Sequence, residues 1–171
     1  MNSLIKRFLG FSFGQWSIAM LMISMFSGVF LIVPYDVNQP FASIISFSIQ
    51  NSFALFFRNL HYWSSQLFLI FTDHLIQKSE SKIKHGLWFR LVLSILVIYL
   101  VMLSGFLLKG DADSQQAWEI LHFLSSSIPY IGETLAYFLL GDQSSNLLVP
   151  YIHHVATFSI IIIFIIFEHS K

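Results

Sequence analysis

Apolar positions run together in four long stretches of this chain, separated by segments in which polar and apolar residues mix. The stretches are residues 14–33 (GQWSIAMLMISMFSGVFLIV), 55–76, 88–108 (WFRLVLSILVIYLVMLSGFLL) and 148–168, the last ending ATFSIIIIFIIFE. Each matches the roughly 20 residues of helix that cross a bilayer. The first lies too far inside the chain, and lacks a small-residue cleavage site, to be a cleaved signal peptide. Residues 34–52 (PYDVNQPFASIISFSIQNS) carry two prolines and predict a loop with a short interfacial segment. Residues 109–146 contain two amphipathic stretches broken at Ser127–Pro129 and Gly132, which predicts a helical hairpin lying along the membrane surface. No internal repeat or low-complexity tract stands out. The pattern predicts an all-α membrane protein: one domain over residues 1–171, a four-transmembrane-helix bundle with an amphipathic surface hairpin between helices 3 and 4.

Composition supports this class. Hydrophobic residues make up 56% of the chain and charged residues 11%, with a mean hydropathy of +0.71, whereas a soluble domain carries about a quarter charged residues. Nine basic and nine acidic residues cancel, so no net field points to nucleic acid. Cysteine is absent, which excludes disulfides, iron–sulfur ligation, thiol catalysis and thioether-linked haem within these residues. Lys6, Arg7, Lys78, Lys82, Lys84, Arg90 and Lys171 fall at one end of the spans, and only Arg58 and Lys109 at the other. Asp36, Asp111, Asp113, Glu119, Glu133 and Asp142 lie on the side with few basic residues. The positive-inside rule then puts both termini and the 78–90 loop on the cytoplasmic side, and a bacterial inner membrane is the expected setting.

Seven histidines change the picture, because ionisable side chains inside a membrane are costly and tend to be functional. His61 and His74 lie on the second span, His154 and His169 on the fourth. These two spans run in the same direction, so His61 and His154 fall toward the outer face and His74 and His169 toward the inner. The members of each helix's pair lie roughly 20 Å apart along the axis. A single intramembrane histidine usually satisfies an interior polar contact. Four at two matched depths point instead to bis-histidine ligation of iron in two b-type haems, held non-covalently inside the bundle. Gly14 and Gly28 lie 14 residues apart, close to four turns, and so share a face that a flat macrocycle could approach; helix packing is the alternative for such a pair. Arg58, one turn before His61, suits a haem propionate or an interfacial anchor. His85 and His122 fit solvated positions, and His153, about 100° from its neighbour His154, fits an interfacial or packing role.

These residues resemble the amino-terminal, haem-bearing half of cytochrome b from bc-type quinol-oxidising complexes, over nearly the whole chain. Ser12–Gly14 and SGVFLIVPY at Ser27–Tyr35 are similar to that family's first helix. RNLHYWSSQ at Arg58–Gln66 is similar to its second. GFLLKGD at Gly105–Asp111 and SIPYIGETL at Ser127–Leu135 are similar to the end of the third helix and the surface hairpin, the IPxIG element being the most specific. NLLVPYIHH at Asn146–His154 is similar to the entry to the fourth. The resemblance implies that His61 and His154 ligate an outer, lower-potential haem, and His74 and His169 an inner, higher-potential one. It also implies an Arg58 that meets a propionate, and Gly14, Gly28 and Gly105 as close-approach positions.

The chain departs from the family in several places. The second-helix histidines are thirteen apart rather than fourteen, which turns them about 140° out of line where fourteen leaves about 40°. Fifteen residues separate His154 from His169, as in the photosynthetic branch. Leu91 stands where a second glycine of the third helix is expected, and Gln77 where a basic residue is expected, with Lys78 beside it. KGDA at Lys109–Ala112 replaces a Pro-Trp-Gly-Gln run, and Ala117 replaces a glycine of the quinol pocket. The Pro-Glu-Trp-Tyr motif belongs to the carboxy-terminal half.

The sequence therefore predicts a di-haem cytochrome b subunit that carries electrons across the membrane within a quinol- or quinone-linked complex, not catalytic alone. Its expected partners are a carboxy-terminal cytochrome b-like subunit and a Rieske iron–sulfur protein or c-type cytochrome, with quinone as a further candidate ligand. Two alternatives are a dehydrogenase's cytochrome b membrane anchor and a haem-free structural or transport subunit.

Overall fold

The computed structural model describes residues 12–79, 85–142, 144 and 146–169. Among these there is no strand. The helices are α1 (Phe13–Ile32), α2 (Pro40–Gln50), α3 (Ser52–Ser79), α4 (His85–Leu107), α5 (Ala112–Ser126), α6 (Gly132–Leu140), α7 (Leu148–Ile152) and α8 (Phe158–His169), with a five-residue π-helical turn at His153–Thr157 joining the last two. Local chemistry sets several starts. Ser12 and Gln15 form a reciprocal capping box at α1. Pro40 opens α2, where its missing N–H costs nothing. The Asp111 carboxylate accepts from the Ser114 N–H at the head of α5.

Among the described residues three helical segments are long and apolar enough to cross a membrane: Phe13–Ile32, Trp88–Leu107 and Leu148–Ile166. The count reaches four if Pro40–Gln50 and Ser52–Gln77 form one bent span. The second apolar run thus becomes a 28-residue helix whose polar residues keep it from qualifying unaided.

The helices pack into two compact units. The first holds α1, α3 and α4 up to Ile95. Here α1 turns small polar residues inward: Ser17, Ser24 and Ser27 are buried, while Met22, Phe26 and Val29 are exposed. A hydrocarbon solvent gives large apolar side chains no reason to hide, so small residues that let backbones approach take the helix contact. The hydroxyls are satisfied locally or across the pair. Ser27 donates to the carbonyl of Ile23 at 2.8 Å, and Ser17 and Thr72 share a buried hydrogen bond of 2.7 Å. Toward the other end of the pair, Phe30 stacks on Phe57 with ring centroids 4.2 Å apart.

The second unit contains α2, the rest of α4, and α5 through α8. Its core is Leu107, Trp118 and Leu140, against which Ala117, Leu121 and Leu139 pack. The Trp118 indole N–H donates to the Leu140 carbonyl at 3.1 Å, so a large apolar residue also ties α5 to the end of α6. The IPYIG element makes the link between those helices. Tyr130 takes a left-handed conformation (φ 68°), and a Cβ on Gly132 would run into the carbonyls of Ser125 and Ser126. The Tyr35 hydroxyl donates to the Leu108 carbonyl at 3.0 Å and its ring stacks on Tyr151. Burial, then Tyr151 and Asp36, push the Tyr35 phenol well above its usual range. Lys109 pairs with Asp111 at 2.7 Å in the turn between α4 and α5.

Candidate functional site

Two histidines, one in each unit, are held in the same way. His61 lies on α3, and its Nδ1 is 2.8 Å from the Ser24 carbonyl oxygen. The Ser24 hydroxyl stands 3.4 Å from the same nitrogen. In the second unit, His154 Nδ1 is 2.9 Å from the Val101 carbonyl oxygen, with the Ser104 hydroxyl at 3.4 Å. A carbonyl can only accept, so Nδ1 carries the proton in both rings and the lone pair sits on Nε2. That is the tautomer a metal-ligating imidazole needs, and the backbone acceptor also fixes ring orientation.

Glycine makes both contacts accessible. The accepting carbonyl at position n is already bonded to the N–H four residues on, and an imidazole reaching it passes over the Cβ of that residue. Gly28 follows Ser24 by four, and Gly105 follows Val101 by four. A Cβ on Gly28 would lie 3.1 Å from His61 Cε1. A Cβ on Gly105 would lie 2.6 Å from His154 Cε1 and 3.0 Å from Nδ1. The local sequences are themselves alike: Met25-Phe26-Ser27-Gly28 and Met102-Leu103-Ser104-Gly105. This Met-x-Ser-Gly repeat is a signal that reading the chain for long repeats missed, and it marks both cradles.

The remaining expected residues fall differently. Arg58 is half-buried one turn before His61. Gly14 faces Leu75, whose Cδ2 would be 3.8 Å from an added Cβ. His74 is half-buried with its ring against Phe13, centroids 4.2 Å apart. Gln77 donates to the Asp73 carboxylate at 2.7 Å. Leu91 is buried, and the Trp88 indole N–H is a buried donor with no partner among the described residues. His169 closes α8, but its side chain lies outside the described part of the structure, as do the side chain of Lys78 and all of Lys82, Lys84 and Lys171. Of the others, His85 is exposed, and His122 stacks on Trp118. His153 is buried, bonds the Phe138 carbonyl at 2.7 Å through Nε2, and stacks on Phe158. Its Nδ1 is buried with no hydrogen-bond partner among the described residues.

The π-turn bears on the spacing within the last helix. It begins at His153 and closes with an i→i+5 bond from the Phe158 N–H to the His153 carbonyl. The Ser159 hydroxyl donates to the His154 carbonyl at 2.6 Å. Such a turn takes up one extra residue, so the fifteen-residue interval to His169 turns like fourteen, about 40° out of line instead of about 60°. Among the described residues no three His, Cys, Asp or Glu side chains gather into a group that could hold a metal ion. Beside Ser104, an apolar cavity is bounded by Leu100, Leu103, Leu121, Leu139 and Phe158.

Comparison with known proteins gives the family. A family model described as cytochrome b/b6/petB matches residues 1–169. A cytochrome b from Python regius is 25% identical over 140 residues, covering 79% of this chain and 38% of that protein. The chain therefore spans well under half the length of that relative. With the family match reaching nearly end to end, the chain belongs to the cytochrome b family, whose members bind haem b and serve as integral membrane electron-transfer subunits of redox complexes.

Proposed function

We propose that this chain is a haem b subunit that passes electrons within a quinol- or quinone-linked membrane complex, in which His61 and His154 would hold the iron of an outer haem. The observation that carries the reading is the doubled cradle: each imidazole gives its Nδ1–H to a backbone carbonyl next to a glycine that leaves room for the ring. The iron of a bound haem supplies a one-electron couple. The residues supply the rest. Ser24 and Val101 set the tautomer, Gly28 and Gly105 admit the rings, and Arg58 is the cation for a propionate. His74 and His169, the inner pair that the resemblance implies, are not needed for this reading. Both termini on the cytoplasmic side of a bacterial inner membrane, and a surface hairpin formed by α5 and α6, complete the reading as one four-span domain.

These residues hold no Pro-Glu-Trp-Tyr motif, so any outer quinol site would be completed by residues beyond them. Purified protein should show a reduced b-type spectrum that disappears in the His61→Ala, His154→Ala double variant. Retention of the full spectrum would overturn the ligand assignment. Co-purification of a Rieske protein with a carboxy-terminal cytochrome b-like subunit is expected; a dehydrogenase in their place would favour the membrane-anchor alternative.

A further inference from the structure

We propose that the chain holds one haem rather than two, because the level of α3 that carries His74 is packed as an ordinary helix contact. This rests on the haem reading of His61 and His154. Gly14 and Gly28 are fourteen residues apart on α1, so the α3 residue placed opposite Gly14 as His61 is opposite Gly28 should be fourteen beyond His61. That residue is Leu75, and Leu75 is what Gly14 faces. His74 is rotated about 100° from it, and its ring rests on Phe13.

A helix can absorb a one-residue mismatch, and this chain does so after His154 with a π-turn. The mismatch on α3 runs the other way, by one residue too few, and would need local tightening. Yet α3 is unbroken α-helix from Ser52 to Ser79. The charges also differ between the two levels. Arg58 lies one turn before His61, whereas among the described side chains after His74 Gln77 donates to the Asp73 carboxylate, which sets an anion beside that imidazole. On α4, Leu91 lies fourteen residues before Gly105. It is buried, so side chain stands where the glycine register calls for open backbone. Three residues before Leu91, the Trp88 indole N–H is a buried donor that an acidic substituent would satisfy, and so a two-haem outcome has a definite form to be tested against.

The test is a haem count on the full chain purified in detergent after expression with ample haem, by pyridine haemochromogen against amino-acid analysis. One haem per chain is expected, with a single one-electron wave in a redox titration and one low-spin bis-histidine signal in electron paramagnetic resonance. His74→Ala should leave the count, the potential and the signal unchanged. Two haems per chain, or loss of a haem in His74→Ala, would overturn the proposal. A count of zero would instead remove the haem reading on which it rests.

Discussion

The two levels of the α1–α3 pair are built from the same helices and differ in what faces each glycine. At the upper level Gly28 meets an imidazole whose Nδ1–H is anchored on Ser24; at the lower level Gly14 meets the leucine side chain of Leu75. The upper contact is tight and polar, the lower one ordinary van der Waals packing. The same backbone register thus gives a ligand cradle or a plain helix contact depending on one residue of spacing.

The largest effect that would break this comparison is removal of an upper ligand. His61→Ala and His154→Ala should each abolish the b-type spectrum, read as loss of the Soret band in protein that still elutes as a folded detergent complex. Next comes conversion of the lower level into a copy of the upper. One leucine inserted between Phe71 and Thr72, combined with Leu91→Gly, moves the histidine to fourteen residues after His61 and opens the α4 backbone. The haem count should then rise from one toward two.

Alanine at the three glycines grades the same contrast. Gly105→Ala drives a methyl to 2.6 Å from His154 and should cost about 1–3 kcal/mol of stability, as overpacking does, with weakened haem retention. Gly28→Ala, at 3.1 Å, should cost less, under about 1 kcal/mol, because the imidazole can shift by a few tenths of an ångström. Gly14→Ala, at 3.8 Å, should be close to neutral. Thermal unfolding in detergent, followed by circular dichroism and by the Soret band, separates the fold term from the haem term.

The smallest effect lies away from the haem level. Burial acts to raise the Asp111 carboxyl, but Lys109 and Ser114 outweigh it and hold the group below its usual range. A depressed folded value means that its contribution is present above the ordinary carboxylate range and is lost as pH falls through the folded value. Asp111→Ala should therefore cost about 1 kcal/mol at neutral pH, the usual size of a helix cap, and almost nothing in strong acid. Melting temperatures of the two proteins across an acid series check both the size and the sign.

Much of the fold was legible in the residues. The four apolar runs became α1, α3, α4 and the α7–α8 stretch within a few residues, and the two amphipathic segments became α5 and α6. Hydrophobic patterning reports where helices are because a bilayer demands length and apolarity over many residues at once. The thirteen-residue interval and its rotation were also readable, since they follow from helix geometry alone. What faces Gly14 and the carbonyl partners of His61 and His154 depend on how helices pair, which the linear order of residues does not spell out. The π-turn was hidden for a similar reason: HHVAT has no composition that distinguishes a widened turn from an ordinary α-helical one. His153 was placed at an interface or in packing, and the Phe138 carbonyl, fifteen residues earlier, is what draws it inside.

The turn at His153–Thr157 also bears on how the chain tolerates change in length. A helix that already carries one surplus residue can lose it by reverting to the α form, leaving the segments on either side in place. Deletion of a residue at Val155 or Ala156 is therefore a local event in the last helix. The same deletion in α3 has no slack to consume and swings everything beyond it by about 100°. The two histidine-bearing helices are consequently unequal as recipients of insertions and deletions, and natural length variation is expected to collect in one and be purged from the other.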